Sequence, residues 1–162
     1  MTKTRRNFLI AGFLTTSIVV MNSGKFFSTT SPKDTFDTLQ NDLFPKAKEL
    51  GVNVSAYLSL ILHHSRITQE DKDYLRSGVK WVNETSIELY SKLYTELNTG
   101  QRETLLETIN AEEWGENYLS TLLSYIMEAM FSDPIYGVNQ NRAGQKWLGF
   151  KNGLPYPKEA YL

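Results

Sequence analysis

The spacing of the apolar side chains is the feature that most constrains the fold of this chain. From residue 36 to residue 130, apolar residues recur three and four positions apart, as at Leu58, Ile61 and Leu62, which places them on one face of an α-helix. No stretch alternates apolar and polar residues in the manner of a β-strand. The spacing therefore predicts an all-α protein, a bundle of about five helices followed by a long C-terminal extension rich in glycine, proline and aromatic residues.

Side chains that favour helix ends predict where these helices begin. Three pairs combine an N-cap residue with a favourable partner in the first turn: Ser31 with Pro32, Thr68 with Asp71, and Asn98 with Gln101. We expect helices at about 32–43, 54–64, 69–93, 99–109 and 112–131. Gly78 lies inside the longest of them, where glycine costs about 1 kcal/mol relative to alanine.

The composition excludes several kinds of chemistry. At 162 residues the chain has the length of one domain. It has no cysteine, which excludes disulfides, zinc–thiolate sites, cysteine-ligated iron–sulfur clusters, covalent c-type haem and a cysteine nucleophile. The only two histidines, His63 and His64, are adjacent at the end of a predicted helix and are interpreted as C-terminal caps rather than metal or haem ligands. The net charge of −1 predicts no large positive patch for nucleic acid.

No group of residues stands out as a catalytic site. Glu112, Glu113 and Glu116 fall in the first turn of the last predicted helix, where the helix dipole favours negative charge, and are interpreted as solvated carboxylates. There is no glycine-rich phosphate loop after a strand and no nucleophile elbow. We therefore predict no catalytic residue, no cofactor-binding residue and no metal ligand in this chain.

The first 24 residues resemble an export signal. Basic residues precede an apolar stretch at 8–20, which is too short to span a membrane comfortably. The segment Thr-Arg-Arg-Asn-Phe-Leu at 4–9 resembles the twin-arginine pattern Ser/Thr-Arg-Arg-x-Phe-Leu-Lys. This resemblance implies that Arg5 and Arg6 are recognised by the twin-arginine translocase, and that the protein is exported to the periplasm. Residues 1–24 are then a cleaved signal peptide or an uncleaved N-terminal anchor.

The composition changes at Ser132. The last 31 residues contain four of the ten glycines and three of the five prolines, together with several large aromatic residues. Such a segment cannot form a long helix and is too aromatic for a disordered tail. Its aromatic residues either cover the bundle of their own chain or fill pockets on another protein. We divide the chain into the signal at 1–24, a linker at 25–31, a helical domain at 32–131 and an irregular docking or wrapping segment at 132–162.

This C-terminal segment contains the most specific motif of the chain. The sequence Phe-Ser-Asp-Pro-Ile-Tyr-Gly-Val-Asn at 131–139, followed by Gly144, Trp147 and Phe150, resembles the C-terminal signature of the gluconate 2-dehydrogenase subunit 3 family. That signature reads Asp-Pro-x-Tyr-Gly-Gly-Asn, then a Gly-Trp stretch and an aromatic Gly-Tyr/Phe-Pro-Gly turn. Val138 replaces the second glycine, which disfavours a positive φ at this position. Earlier elements of the family match more loosely at 43–45 and 97–106.

The resemblance implies a role in an oxidoreductase complex. Members of this family are small subunits of membrane-associated periplasmic sugar and sugar-acid dehydrogenases. Their large subunit is an FAD-dependent oxidoreductase of the glucose–methanol–choline type, and a cytochrome c subunit with c-type haem usually takes the electrons onward. The chain would then be non-catalytic, would bind and stabilise the flavoprotein, and would supply the twin-arginine signal for both. It would be associated with the inner membrane through the complex or through an uncleaved signal.

The resemblance also implies which residues dock the partner. They belong to the signature, and they are Asp133, Pro134, Tyr136, Gly137, Asn139, Trp147 and Phe150. An alternative function is a stand-alone periplasmic helical module that binds a small ligand between its helices. Its predicted pocket is aromatic and is lined by Tyr57, Trp81, Tyr90 and Tyr118.

Overall fold

The computed structural model describes residues 31–151 and 153–160. Over these ranges the fold is all-α, as predicted, and contains no strand. The helices are α1 Pro32–Leu43, α2 Pro45–Glu49, α3 Val54–His63, α4 Gln69–Tyr90, α5 Thr99–Asn110, α6 Glu113–Phe131 and α7 Ala143–Trp147. Short 3₁₀ turns lie at Tyr94–Glu96, Pro134–Tyr136 and Gln140–Arg142. The predicted export signal with Arg5 and Arg6, and positions 25–30 of the predicted linker, lie outside the described residues.

The five longer helices lie where the apolar spacing predicts them, and two short helices were not predicted. Pro45, which the sequence suggests as a stop for α1, also begins α2, because a proline fits the first position of a helix. Helix α4 ends at Tyr90, three residues before its predicted end. Its cap residue, Ser91, has a left-handed backbone with a φ of 54°, and this turns the chain away from the helix axis.

The predicted capping pairs form with one difference of detail. The Asn98 side chain accepts from the Gln101 backbone N–H at 3.0 Å, and the Gln101 side chain accepts from the Asn98 N–H at 3.1 Å. The Thr68 hydroxyl also accepts from the Asp71 N–H, at 3.1 Å, but the Asp71 carboxylate bonds the Thr68 hydroxyl, at 2.6 Å, rather than the Thr68 N–H. Aspartate is one carbon shorter than the glutamate of a full capping box, which limits its reach.

The interior consists of two groups of buried apolar side chains. The larger group joins α1, α3, α4, α5 and α6 and includes Leu39, Leu105 and Leu122, none of which is exposed. The smaller group lies below the C-terminal segment, where residues 47–54 meet the end of α6 at Ile126 and Met130. The C-terminal segment bonds to the backbone around this second group, through Asn139 to the Met130 carbonyl and through the Val138 carbonyl to the Asn53 N–H. Within the described ranges, no helix is long and apolar enough to cross a membrane.

Position 78 of α4 requires glycine for packing, although the helix propensity of glycine is lower than that of alanine. A Cβ atom at this position would overlap the ring of Tyr118 on α6. The Tyr118 side chain is completely buried, and its hydroxyl donates to the Leu75 carbonyl at 3.2 Å. The glycine therefore allows α4 and α6 to approach around this ring. The Tyr118 ring, which the alternative function counts among the residues that line its pocket, is buried between α4 and α6.

Candidate partner-docking surface

The C-terminal segment is held against the end of α6 by a buried asparagine. Asn139 has no exposed surface. Its side-chain amide donates to the carbonyls of Met130 at 2.8 Å and Ser132 at 3.1 Å, and its side-chain oxygen accepts from the Gly144 N–H at 3.0 Å. One side chain thus joins the last turn of α6 to the first turn of α7. Because Asn139 lies inside the protein, it shapes the loop and is not placed to touch a partner.

The turn between α6 and Asn139 depends on the preceding part of the motif. The Asp133 carboxylate accepts from the Ile135 N–H at 3.1 Å and lies 3.4 Å from the Arg142 guanidinium. Pro134 begins the short 3₁₀ turn, and Gly137 ends it with a φ of +75°, a conformation that favours glycine. Asp133 and Pro134 are partly buried and Gly137 is exposed. These residues fix the direction of the chain more than they provide contact area.

Two further residues complete this arrangement. Val138 is buried and has no positive φ, as its replacement of glycine predicts, and its carbonyl accepts from the Asn53 N–H at 2.9 Å. The buried Gln145 side chain donates to the carbonyls of Phe131 at 2.7 Å and Ser132 at 3.2 Å. The sequence did not predict the structural role of Gln145, and the only signal for it is the position of a glutamine between Gly144 and Trp147 of the motif.

The outer face of the segment carries exposed apolar side chains. Seven large apolar residues are exposed within the described ranges, and all but Leu89 lie between residues 131 and 156. They are Phe131, Trp147, Leu148, Phe150, Leu154 and Tyr156. We call the three aromatic residues Phe131, Trp147 and Phe150, together with the adjacent Leu148, the aromatic cluster. Exposed apolar groups concentrated in one region of a surface are typical of interaction sites.

Ring contacts hold the aromatic cluster in place. The Phe131 and Phe150 rings meet edge to face with centroids 5.2 Å apart, and Trp147 meets Phe44 in the same way at 6.0 Å. Trp147 is 46% exposed and Phe150 is 47% exposed, so about half of each side chain remains available for contact. Both predicted residues are therefore accessible at the surface of the described part of the chain.

Tyr136, the remaining predicted docking residue, is partly buried and lies near Tyr57. The nearby Tyr57 hydroxyl donates to the Glu128 carboxylate at 2.9 Å. Burial raises the pKa of Tyr57, and the hydrogen bond and negative charge of Glu128 raise it further. Tyr57 is therefore a neutral hydrogen-bond donor at physiological pH, and its contact with Glu128 links α3 to α6 beneath the C-terminal segment.

Charge is unevenly divided between the helices and the C-terminal segment. Residues 31–131 contain nine basic and sixteen acidic side chains, whereas residues 132–162 contain four basic and two acidic ones. Among the basic ones, the Arg142 guanidinium lies 3.7 Å from the centre of the Tyr156 ring, in a cation–π contact. The C-terminal segment thus combines exposed aromatic side chains with a small excess of positive charge, whereas residues 31–131 carry an excess of negative charge.

Trp81, which the alternative function assigns to an aromatic pocket, packs against other rings of the chain, and both histidines contact backbone groups at the end of α3. Trp81 packs edge to face against Tyr74 and Trp114, with centroids 6.1 and 5.5 Å away. His63 ends α3 with its Nδ1 2.7 Å from the Ser59 carbonyl, and the His64 Nδ1 accepts from the Arg66 N–H. Over 31–151 and 153–160, no group of three or more histidine or carboxylate side chains is placed to hold a metal ion.

Comparison with known proteins yields one match. A family model described as gluconate 2-dehydrogenase subunit 3 matches residues 31–153, a range that contains all seven helices and the Asp-Pro-x-Tyr-Gly motif. Neither the curated proteins nor the solved structures contain a match to this chain.

Proposed function

The chain belongs to the gluconate 2-dehydrogenase subunit 3 family, and we propose from this that it is a non-catalytic accessory subunit of an FAD-dependent dehydrogenase. It binds and stabilises the flavoprotein subunit and escorts it through the twin-arginine translocase, which recognises Arg5 and Arg6. The complex works in the periplasm at the inner membrane, where a cytochrome c subunit takes the electrons onward. FAD and haem belong to the partners.

The observation that carries this proposal is the exposed aromatic cluster within the matched range. Trp147 and Phe150 each leave about half of a large ring exposed, while the buried Asn139 and Gln145 hold the loop beneath them. A preorganised aromatic surface loses little conformational entropy when it binds, so it suits a stable subunit contact. The basic side chains of the segment favour a partner surface with an acidic rim.

The proposal is tested by isolating the tagged full-length protein from its native host under mild conditions. We expect a yellow complex that contains a large flavoprotein in near-equal amount, identified by mass spectrometry and by flavin absorbance. Recovery of a colourless protein without this partner would contradict the proposal.

The docking role of the aromatic cluster gives a first prediction. The double substitution Trp147→Ala with Phe150→Ala should reduce the flavoprotein recovered at least tenfold, because buried aromatic anchors at interfaces are typically worth about 2 kcal/mol or more. Leu89→Ala is the matched control, since Leu89 is also about half exposed but lies on α4. Circular dichroism should show an unchanged helix content in all variants. Full recovery with the folded double variant would mean that the partner binds elsewhere.

A further inference from the structure

The last described residues, 153–160, form an irregular stretch that we call the C-terminal arm. The arm contains no helix, and within the described ranges its backbone makes no hydrogen bond to the rest of the chain. Leu154 is 80% exposed, more than any other large apolar residue that the structure describes. Its side chain therefore contributes almost nothing to the interior of this protein.

One arginine fastens the arm to the family motif. The Arg142 guanidinium lies 3.7 Å from the centre of the Tyr156 ring, and it is 3.4 Å from a carboxylate oxygen of Asp133. The other oxygen of Asp133 accepts from the Ile135 N–H at 3.1 Å, so Asp133 is itself fixed by the turn after α6. A cation over an aromatic face is attracted to it electrostatically. Arg142 thus acts as a clasp between this turn and Tyr156 of the arm.

The backbone at Arg142 has a conformation that arginine rarely adopts. Its φ is 56°, and the preceding Asn141 has a φ of 55°. Asparagine tolerates a left-handed backbone, whereas residues with long side chains disfavour it. Such a conformation persists only where the surrounding contacts fix it, and it is found most often at functional sites. The contacts with Asp133 and Tyr156 are the ones that the side chain makes from this disfavoured position.

Two prolines restrict the arm further. Pro155 and Pro157 lie on either side of Tyr156, and each proline ring fixes φ near −65°. With two backbone angles fixed and the ring between them held by Arg142, the arm loses little conformational entropy when it binds another molecule. Burial of an exposed leucine in an apolar pocket is favourable. The arm therefore has the properties of a preorganised segment that carries Leu154 as its anchor.

The position of the arm in the chain indicates which molecule it meets. Leu154 follows Phe150 of the aromatic cluster by four residues, and four residues span at most about 14 Å. A protein interface of standard size is about 30 Å across, so one partner can cover both. We propose that the arm is a second docking element, which inserts Leu154 into an apolar pocket of the flavoprotein, and that Arg142 positions it through Tyr156. This inference rests on the proposed function and adds a contact to it.

Replacement of Leu154 should weaken the complex without affecting the isolated subunit. Leu154→Ala should reduce the flavoprotein recovered with the tagged full-length protein about tenfold, because less apolar surface is buried in the pocket. The Tm of the isolated full-length protein should change by less than about 2 °C, since the side chain is 80% exposed. Leu89→Ala, at an exposed position of α4, is the matched control and should leave the recovery unchanged.

Three results would contradict one or other of the two proposals. Undiminished recovery of flavoprotein by Leu154→Ala would overturn the inference. A clearly lowered Tm for this variant would show that Leu154 packs against its own chain, and would overturn the inference as well. Failure of the wild-type protein to recover any flavoprotein would instead contradict the proposed function.

The positioning role of Arg142 is tested by combining two substitutions. Arg142→Gln keeps a hydrogen-bond donor for Asp133 but removes the cation that faces Tyr156, and should reduce recovery about threefold. In combination with Leu154→Ala it should cause little further loss, because the anchor that Arg142 positions is already absent. Equal losses in the two backgrounds would overturn the positioning role. Tyr156→Phe keeps the aromatic face and should retain full recovery.

Photo-crosslinking identifies the molecule that the arm touches. With p-benzoylphenylalanine in place of Lys158, an exposed residue of the arm, irradiation of the complex should join this chain to a peptide of the flavoprotein. The same photoreactive residue in place of the exposed Glu107 on α5 serves as the control and should give no such product. A product that joins two copies of this chain would show that the arm binds a second copy, and would overturn the inference.

Discussion

At the scale of single residues, the family motif acts mainly through hydrogen bonds within the chain. Asn139 bonds three backbone groups from two helices, and Asp133 bonds the turn that leads to it. The aromatic residues Trp147 and Phe150 remain exposed on the outside of this arrangement. The motif therefore combines residues that shape the loop with residues that are available to a partner, and substitutions should separate the two roles.

Substitution of Asn139 tests the first role. Asn139→Ala leaves the Met130 carbonyl and the Gly144 N–H without their partner, whereas the Ser132 carbonyl keeps its bond from Gln145. We expect the free energy of unfolding to fall by about 2 kcal/mol, since each unpaired buried group costs about 1 kcal/mol or more. Urea denaturation followed by circular dichroism measures this change. Asn117→Ala, at an exposed position of α6, is the control and should change the stability by less than about 0.5 kcal/mol.

At the scale of helices, the packing of α4 on α6 shows how tertiary contact overrides local preference. Alanine is favoured over glycine inside a helix by about 1 kcal/mol. At Gly78, however, a Cβ atom would overlap the buried ring of Tyr118. Tyr118 is fully buried and meets Tyr74 edge to face with centroids 6.0 Å apart, so a shift of its ring disturbs a packed interior. The packing requirement therefore exceeds the propensity.

The corresponding prediction compares two glycine-to-alanine substitutions. Gly78→Ala should lower the free energy of unfolding by about 2 kcal/mol, because overpacking of a well-filled interior costs more than the propensity gain. Gly100→Ala, in the first turn of α5, has its nearest neighbour at 3.7 Å and should raise stability by up to about 1 kcal/mol. Chemical denaturation of both variants measures the difference. A stabilised Gly78→Ala variant would mean that the helices separate at little cost.

At the scale of the whole molecule, buried tyrosines couple stability to alkaline pH. Burial raises the pKa of both Tyr94 and Tyr118, and for Tyr94 the hydrogen bond to Asp42 raises it further. A tyrosine with a raised pKa in the folded protein keeps its proton above pH 10, whereas the unfolded chain loses it. The stabilisation is therefore complete below pH 10 and decreases as the pH rises above it, by about 1.4 kcal/mol per pH unit for each such tyrosine.

Tyr118→Phe tests this coupling. At pH 7 the variant should be about 1 kcal/mol less stable than the wild type, because it loses the hydrogen bond to the Leu75 carbonyl. Above pH 10 its stability should decrease less steeply, so that the difference is removed near pH 11. Urea titrations at pH 7, 10 and 11 measure the two slopes. Tyr156→Phe, which changes an exposed ring, should follow the wild-type slope, and equal slopes for all three proteins would contradict the assignment to Tyr118.

The sequence by itself determined the five longer helices and the family. Apolar spacing and caps such as Asn98 with Gln101 depend on contacts between residues no more than four positions apart, which a sequence displays directly. The short helix after Pro45 was missed because a proline can both stop one helix and start the next. The motif at 131–139 identified the family, and the match over residues 31–153 confirmed it.

Only the tertiary structure decided which residues of the motif are buried and which are exposed. The hydrogen bonds of Asn139 and Gln145 reach back to the end of α6, and the Val138 carbonyl accepts from the N–H of Asn53, which precedes α3 and is 85 positions away in sequence. The need for glycine at position 78 likewise depends on a neighbour that is distant in sequence. A local pattern contains no information about such neighbours, because burial and pairing arise only when the helices pack together.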